Sequence, residues 1–155
     1  MIQENKRAPT GVSEVDIWLT IVRSPLDVTV EERHKSLLDE SELARWQRFT
    51  VQGARDQFLT AHAFLRIVLS KYATVAPKRW RYDTNNHGWP YIVLPVACRS
   101  IRFSLSHTDG LVAVGIRMSH DIGVDVENTS RNLDALKLVQ HSFPPLVSNC
   151  INIRY

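Results

Sequence analysis

Cysteine is scarce in this 155-residue chain, and Cys98 and Cys150 lie far apart. They form no C-x-x-C pair and are too few for a disulfide framework, which excludes a small disulfide-stapled domain. No apolar run approaches the ~18 residues of a membrane-spanning helix, so no membrane association is expected. The first ten residues are polar and lack the apolar core of a signal peptide, which predicts a cytoplasmic location.

A strong charge of one sign is also missing. The chain has 19 Lys and Arg against 16 Asp and Glu, a formal net charge of +3. The basic residues are spread along the chain rather than concentrated in one stripe, so the sequence predicts no nucleic-acid partner. A mild basic excess suits a phosphate-bearing small molecule or an acidic protein, but many ordinary soluble proteins share it.

The apolar patterning predicts an α+β fold. Strands are predicted at 16–22, 101–106, 111–118 and 122–126, and helices at 30–38, 41–49, 52–72 and 133–140. Asp39 or Ser41 is the expected N-cap of the second helix. The Asp109-Gly110 pair predicts a hairpin, opened by His107, between two of the strands. Four polar residues of the long helix are predicted to lie mostly off its apolar face: Arg55, Asp56, Arg66 and Lys71.

The segment Gly123-Val-Asp-Val-Glu127 carries the strongest candidate chemistry. Side chains alternate along a strand, so Asp125 and Glu127 should share one face while Val124 and Val126 enter the core. Two neighbouring carboxylates repel each other unless they are exposed or a hard cation lies between them, and Mg²⁺ suits such oxygens. The spacing alone leaves two alternatives open, which are a solvated acidic face and a metal site.

A second candidate segment is Phe103-Ser-Leu-Ser-His-Thr108. Phe103 should share a strand face with Leu105, and Ser104 should share the other face with Ser106. Hydroxyls and a histidine at a strand end can hydrogen-bond phosphate oxygens, but turn backbone can satisfy the same groups.

Together, the two segments resemble the signature of the 4'-phosphopantetheinyl transferases, in order and at family spacing. The resemblance extends upstream through "LARWQRF", "RDQFLTAHAFLRIVLSKY" and "NNHGWPYI", and is greatest to the larger, monomeric members that activate peptide and polyketide synthases. It implies a fold of two similar lobes about a pseudo-twofold axis, and transfer of phosphopantetheine from coenzyme A to a serine of an acyl or peptidyl carrier protein. Nucleic acid and membrane are not implied as partners.

The resemblance also implies roles for individual residues. Asp125 and Glu127 match the family's Mg²⁺ ligands, and His107 matches its contact to the 3'-phosphate of coenzyme A. Ser106 matches a neighbouring coenzyme contact. Arg45 and Arg48 lie in a basic helix whose family equivalents help to hold the coenzyme phosphates, although a solvated helix face is the alternative.

Three departures from the family pattern qualify this prediction. Gln57 replaces a common basic residue, and Trp89 stands in the Gly88-Trp89-Pro90 turn where a cation is usual. The third departure is that the resemblance ends near Phe143. The segment "WxxKEAxxK", whose Glu completes the metal site and is the suggested base, has no counterpart, so the catalytic residue is unknown.

These features predict a domain organisation. We expect an N-terminal extension at 1–15, a first lobe at 16–118, the start of the metal-binding lobe at 119–145 and a divergent tail at 146–155. An abrupt loss of likeness followed by a short tail suggests a frameshift or early stop, so the transfer activity is expected to be impaired. The alternative is an inactive remnant that at most binds coenzyme A or a carrier protein.

Overall fold

The computed structural model describes residues 15–128 and 150–154. Its helices are α1 (Val28–Leu37), α2 (Glu40–Gln47) and α3 (Gln52–Leu69). Its strands are β1 (Asp16–Ile21), β2 (Arg81–Thr84), β3 (Pro90–Leu94), β4 (Ile101–Thr108), β5 (Leu111–Met118), β6 (Gly123–Glu127) and β7 (Cys150–Arg154). This mixture of helices and largely antiparallel strands agrees with the predicted α+β class. The two-lobed arrangement and its boundaries stay predictions.

The central sheet is antiparallel, in the order β1-β5-β4. The predicted hairpin is confirmed, since Thr108 pairs with Leu111 and only Asp109 and Gly110 lie between them. Gly110 has φ +82°, a left-handed conformation that glycine adopts without steric cost. The prediction that His107 opens the turn is wrong, because strand pairing continues to Thr108 and His107 pairs with Val112.

One face of this sheet packs against α3. The shared core contains residues of α3, the central sheet and the flanking β2-β3 hairpin region, among them Leu65, Val68, Trp80, Ile92, Phe103 and Val114. A separate cluster joins the three helices through Leu38, Trp46, Phe58, Leu59 and Ala63. Phe103 and Leu105 both belong to the α3 side, as the alternation along β4 predicted.

The opposite face of the sheet is covered by β6. Val124 and Val126 are buried there with Leu111 and Ala113 of β5, which is therefore buried on both faces. A Cβ built on Gly115 would lie 2.3 Å from Cγ2 of Val124. The absence of a side chain at Gly115 thus lets β6 approach the sheet closely.

Serine hydroxyls connect β6 to β4. The backbone N–H of Val124 donates to Ser104 Oγ at 3.0 Å, and that of Val126 donates to Ser106 Oγ at 3.2 Å. Ser104 and Ser106 therefore share the β6 side of β4, as predicted. Because these two N–H groups have hydrogen-bond acceptors, β6 can lie over the sheet without the free-energy cost of unpaired buried donors.

Two polar residues of α3 differ from their predicted positions. Arg66 and Asp56 are buried, with 0% and 1% of their surfaces exposed, although they were predicted to lie mostly off the apolar face. Asp56 accepts hydrogen bonds from Ser24 at 2.7 Å and Gln52 at 2.8 Å. Hydrogen-bond partners make such burial tolerable, and hydropathy periodicity does not show them.

The remaining differences between predicted and observed elements lie at the end of α3 and towards the C-terminus. α3 ends at Leu69 rather than 72, and β7, which pairs in parallel with β6, falls in the segment where no element was predicted. The predicted helix at 133–140 and most of the predicted N-terminal extension lie outside the described residues. Among the described helices, none has the length and apolar character to cross a membrane.

Gly115→Ala should lower the free energy of unfolding by about 1–3 kcal/mol, because the added methyl group collides with the buried Val124 side chain. Gly53→Ala is the matched control, since a Cβ there meets nothing within 4 Å and alanine favours the helix by up to about 1 kcal/mol. Urea unfolding of both variants measures the difference. Equal stabilities would contradict the close approach of β6.

Candidate functional site

The carboxylate pair lies on β6 with the orientation that its sequence predicts. Val124 and Val126 are buried on one side, and Asp125 and Glu127 are half-buried on the other. Ser106 Oγ donates to Asp125 Oδ1 at 3.0 Å while accepting the N–H of Val126. Ser106, predicted to contact the coenzyme, thus orients one of the two carboxylates in this structure.

The chemistry of this pair suits a magnesium ion. Carboxylate oxygens are the protein ligands that Mg²⁺ prefers, and one or two of them commonly suffice because waters and substrate phosphates complete the shell. Within residues 15–128, no group of three or more His, Cys, Asp or Glu side chains is arranged to hold a metal. Asp125 and Glu127 therefore fit Mg²⁺ as a partial ligand set.

A cleft of about 500 Å³ opens on the α3 side of β4. It lies between α2, α3, the β2-β3 hairpin and β4. Its walls combine apolar and polar side chains, including Arg45, Phe58, His62, Tyr82, Phe103 and Leu105. Gly88, from the turn between β2 and β3, and Pro90, the first residue of β3, also line the cleft.

One guanidinium and two imidazole side chains, from three elements, come together near this cleft. Arg45 comes from α2, His62 from α3 and His107 from the end of β4. The pKa of His107 lies below its ordinary value, because its ring is partly desolvated and because the charges of His62 and Arg45 are close to it. The guanidinium and the ring N–H groups are hydrogen-bond donors that an anion can accept from.

The cleft wall contains an ionised glutamate, Glu42. Burial alone would raise its pKa, but hydrogen bonds from His62 and Tyr82 and the charge of Arg66 outweigh this and lower the pKa to about 2. Glu42 Oε1 lies 2.8 Å from His62 Nδ1, and Oε2 accepts from Arg66 Nε at 2.9 Å and from the Asp39 N–H at 3.0 Å.

Arg66 completes this network from within the core. Its Nη2 donates to Asp39 Oδ2 at 2.9 Å, and its Nη1 donates to the carbonyl oxygens of Pro77 and Trp80, both at 3.0 Å. Asp39 is the N-cap of α2 and forms a capping box with Glu42, which confirms one of the two predicted caps. The guanidinium thereby fixes α2 and the chain entering β2 against α3.

The structure separates the predicted site residues into two groups. Ser106 lies beside Asp125, whereas His107, the next residue of β4, lies near Arg45 on the opposite face. Arg48 is exposed at the C-cap of α2 and makes no ion pair among the described residues.

Two residues that depart from the family pattern are also placed. Gln57 Nε2 donates to the carbonyl oxygen of Thr108 at 2.5 Å, which ties α3 to the hairpin beside His107. Trp89 is half-buried, and its backbone N–H donates to Asn85 Oδ1 at 3.0 Å. Gln57 therefore has a structural role at a position where a basic residue was expected.

Sequence reasoning missed His62 and Glu42. Glu42 stands three residues after Asp39, and this D-x-x-E spacing is a capping-box signal that was available. His62 carried no comparable signal, since its partner lies 20 residues away and its ring stacks on Phe58 with a centroid distance of 4.1 Å.

Known proteins resemble this chain over most of its length. It is 29% identical over 134 residues to the 4'-phosphopantetheinyl transferase HetI of Nostoc sp., an alignment that covers 85% of this chain and 55% of that protein. A Synechocystis sp. protein provisionally named as a 4'-phosphopantetheinyl transferase is 28% identical over 129 residues, with 83% and 50% covered. This chain is a homologue of the 4'-phosphopantetheinyl transferases. No family model matches it.

The homology agrees with the resemblance of the two signature segments. The chain spans about half the length of the curated relatives that it matches. The homology and the two signature segments both relate this chain to the transferases, while the roles of individual residues stay predictions.

Ser106→Ala should weaken Mg²⁺-dependent stabilisation, because Asp125 loses the hydroxyl that orients it. Ser104→Ala is the matched control, since both serines accept a backbone N–H of β6 and both variants should lose about 1 kcal/mol of stability. Thermal unfolding with and without Mg²⁺ distinguishes them. An equal Mg²⁺ response in both variants would show that Ser106 does not orient a metal ligand.

The Glu42 network predicts a pH dependence of stability. Because folding lowers the pKa of Glu42 from 4.5 to about 2, its contribution is fully present above pH 4.5 and is lost as the pH falls through 2. Glu42→Gln should cost about 3 kcal/mol at pH 7 and progressively less towards pH 2. Urea unfolding at pH 7, 4 and 2.5 measures this, with the exposed Glu32→Gln as control. A cost independent of pH would contradict the network.

Proposed function

We propose that the protein transfers the 4'-phosphopantetheine arm of coenzyme A to a serine of an acyl or peptidyl carrier protein, as a holo-carrier-protein synthase. The single observation that carries the proposal is the orientation of Asp125 and Glu127, which share a half-buried face of β6 while Val124 and Val126 anchor the strand. The homology to transferases supports the same reaction class.

Each described group then has a role in holding the substrate. Asp125 and Glu127 would hold Mg²⁺, with Ser106 orienting Asp125. When bound, Mg²⁺ would neutralise negative charge on the pyrophosphate of coenzyme A. On the other face of β4, His107 and Arg45 would contact a coenzyme phosphate, and Arg48 would contribute from the exposed end of α2.

The carrier protein and a cytoplasmic location belong to the same proposal. The residue that removes the proton from the carrier serine is not assigned to any described residue. A second proposal follows from the relatives, which are about twice as long as the aligned stretch. In it, the chain binds coenzyme A or a carrier protein without transferring the arm.

A transfer assay distinguishes the two proposals. The chain is incubated with an apo carrier protein, coenzyme A and Mg²⁺, and the carrier is weighed by mass spectrometry. A mass gain equal to phosphopantetheine is expected from the first proposal, and no gain beside an active control transferase would support the second.

Asp125→Ala should abolish the mass gain and its dependence on Mg²⁺, because it removes one of the two carboxylates. Asp121→Ala is the matched control, since Asp121 is exposed and lies 3.6 Å from Arg102 in a surface ion pair. Activity retained by Asp125→Ala would exclude Asp125 as a metal ligand. Equal losses in both variants would indicate a general effect on folding.

A further inference from the structure

A second concave surface lies at the base of the β2-β3 hairpin. It is an open groove of about 740 Å³ between the chain that links α3 to β2 and the end of β3, a volume that suits a small molecule. Arg81 and Leu94, which line it, pair at the base of the hairpin, whereas Thr84 and Pro90, which line the cleft, pair at its turn. The groove and the cleft therefore lie at opposite ends of the two strands.

The wall of the groove combines an apolar surface with two guanidinium groups. Leu94 is a large aliphatic residue with 48% of its surface exposed. An exposed apolar surface rimmed by polar groups is typical of a binding site. The apolar part of the lining is formed by Val75, Ala76, Leu94 and Pro95, and the charged part by Arg79 and Arg81.

The positive charge of the groove is only partly compensated. Arg79 is exposed and has no carboxylate partner among residues 15–128. Arg81 Nη1 lies 3.8 Å from Asp39 Oδ2, an oxygen that already accepts a hydrogen bond from Arg66. No carboxylate within the described part of the chain lines the groove, so its net charge is positive.

The segment that carries both guanidinium groups is fixed before any ligand binds. Trp80, between the two arginines, is fully buried, and its Nε1 donates to Ser70 Oγ at 2.9 Å. Its carbonyl oxygen accepts from Arg66 Nη1 at 3.0 Å and from Arg81 Nη1 at 2.8 Å. A ligand therefore meets a wall that is already ordered, which reduces the entropy cost of binding.

We propose that this groove binds an aliphatic carboxylate. The carboxylate oxygens accept hydrogen bonds from Arg79 and Arg81, and the hydrocarbon chain lies along Val75, Leu94 and Pro95. Two coplanar oxygens match the paired N–H donors of a guanidinium group, and a single negative charge matches the one arginine that has no partner. The site goes beyond the proposed transfer reaction and uses none of its residues.

The shape of the surface favours a single molecule over a lipid bilayer. Proteins that lie on a bilayer insert protruding apolar side chains between the head groups. Here, the apolar side chains line a concavity with the arginines in the same wall, so one amphiphilic molecule can contact both parts at once.

A backbone-amide NMR titration of the whole chain with sodium octanoate tests the proposal. Shifts should concentrate at residues 74–81 and 94–96. Sodium acetate lacks the hydrocarbon chain and 1-octanol lacks the charge, so each should bind at least about tenfold more weakly than octanoate. The titration contains no coenzyme A and no carrier protein, so its result is independent of the transfer assay.

Arg79→Gln should weaken octanoate binding about tenfold, the effect of losing one charged hydrogen bond. Arg99→Gln is the matched control, since Arg99 is also exposed but does not line the groove, and it should leave the affinity unchanged. The dispersion of the amide resonances shows that each variant is folded.

Four outcomes would overturn the proposal. They are octanoate shifts that are absent or lie outside the groove, equal binding of octanoate and 1-octanol, an unchanged affinity in Arg79→Gln, and equal losses in Arg79→Gln and Arg99→Gln. The last of these would show a general attraction of anions to a basic protein. Binding to vesicles of anionic phospholipid without binding of free octanoate would also contradict it, and would assign the surface to a membrane.

Discussion

The buried charge pair of Arg66 and Glu42 is the constraint on which the rest of the structure depends. Arg66 has no exposed surface, so its guanidinium must find partners inside the protein. Those partners belong to the N-cap of α2, to Glu42 and to the carbonyl oxygens that precede β2. One side chain therefore determines how two walls of the cleft meet α3, and Glu42 transmits that arrangement to His62.

A second constraint acts on the other face of the central sheet. There, two serine hydroxyls on β4 accept backbone N–H groups of β6, and Gly115 provides the space that Val124 occupies. The depth of β6 above the sheet is set by these contacts rather than by strand pairing with β4. The position of Asp125 depends on the same contacts because Ser106 is shared between the backbone and the carboxylate.

The sequence predicted what depends on short-range periodicity. The alternation of Val124 and Asp125, the hairpin at Asp109-Gly110 and the mixed fold class all follow from patterns within a few residues. The burial of Arg66 and the approach of His62 to Glu42 could not be predicted in this way. Their partners lie 11 or more residues away, and only tertiary packing brings them together. His107 was likewise predicted at the turn but lies on β4, because strand pairing with β5 extends further than the sequence pattern showed.

The adjacent positions of Ser106 and His107 on β4 place a requirement on the shape of any shared ligand. Neighbouring side chains of a strand project to opposite sides, so the carboxylate pair and the cleft are separated by the strand itself. β4 is the outer strand of the central sheet, and His107 lies one residue before its end. A single molecule that contacts both groups must therefore bend around this edge of the sheet, which requires rotatable bonds between the two parts that make the contacts.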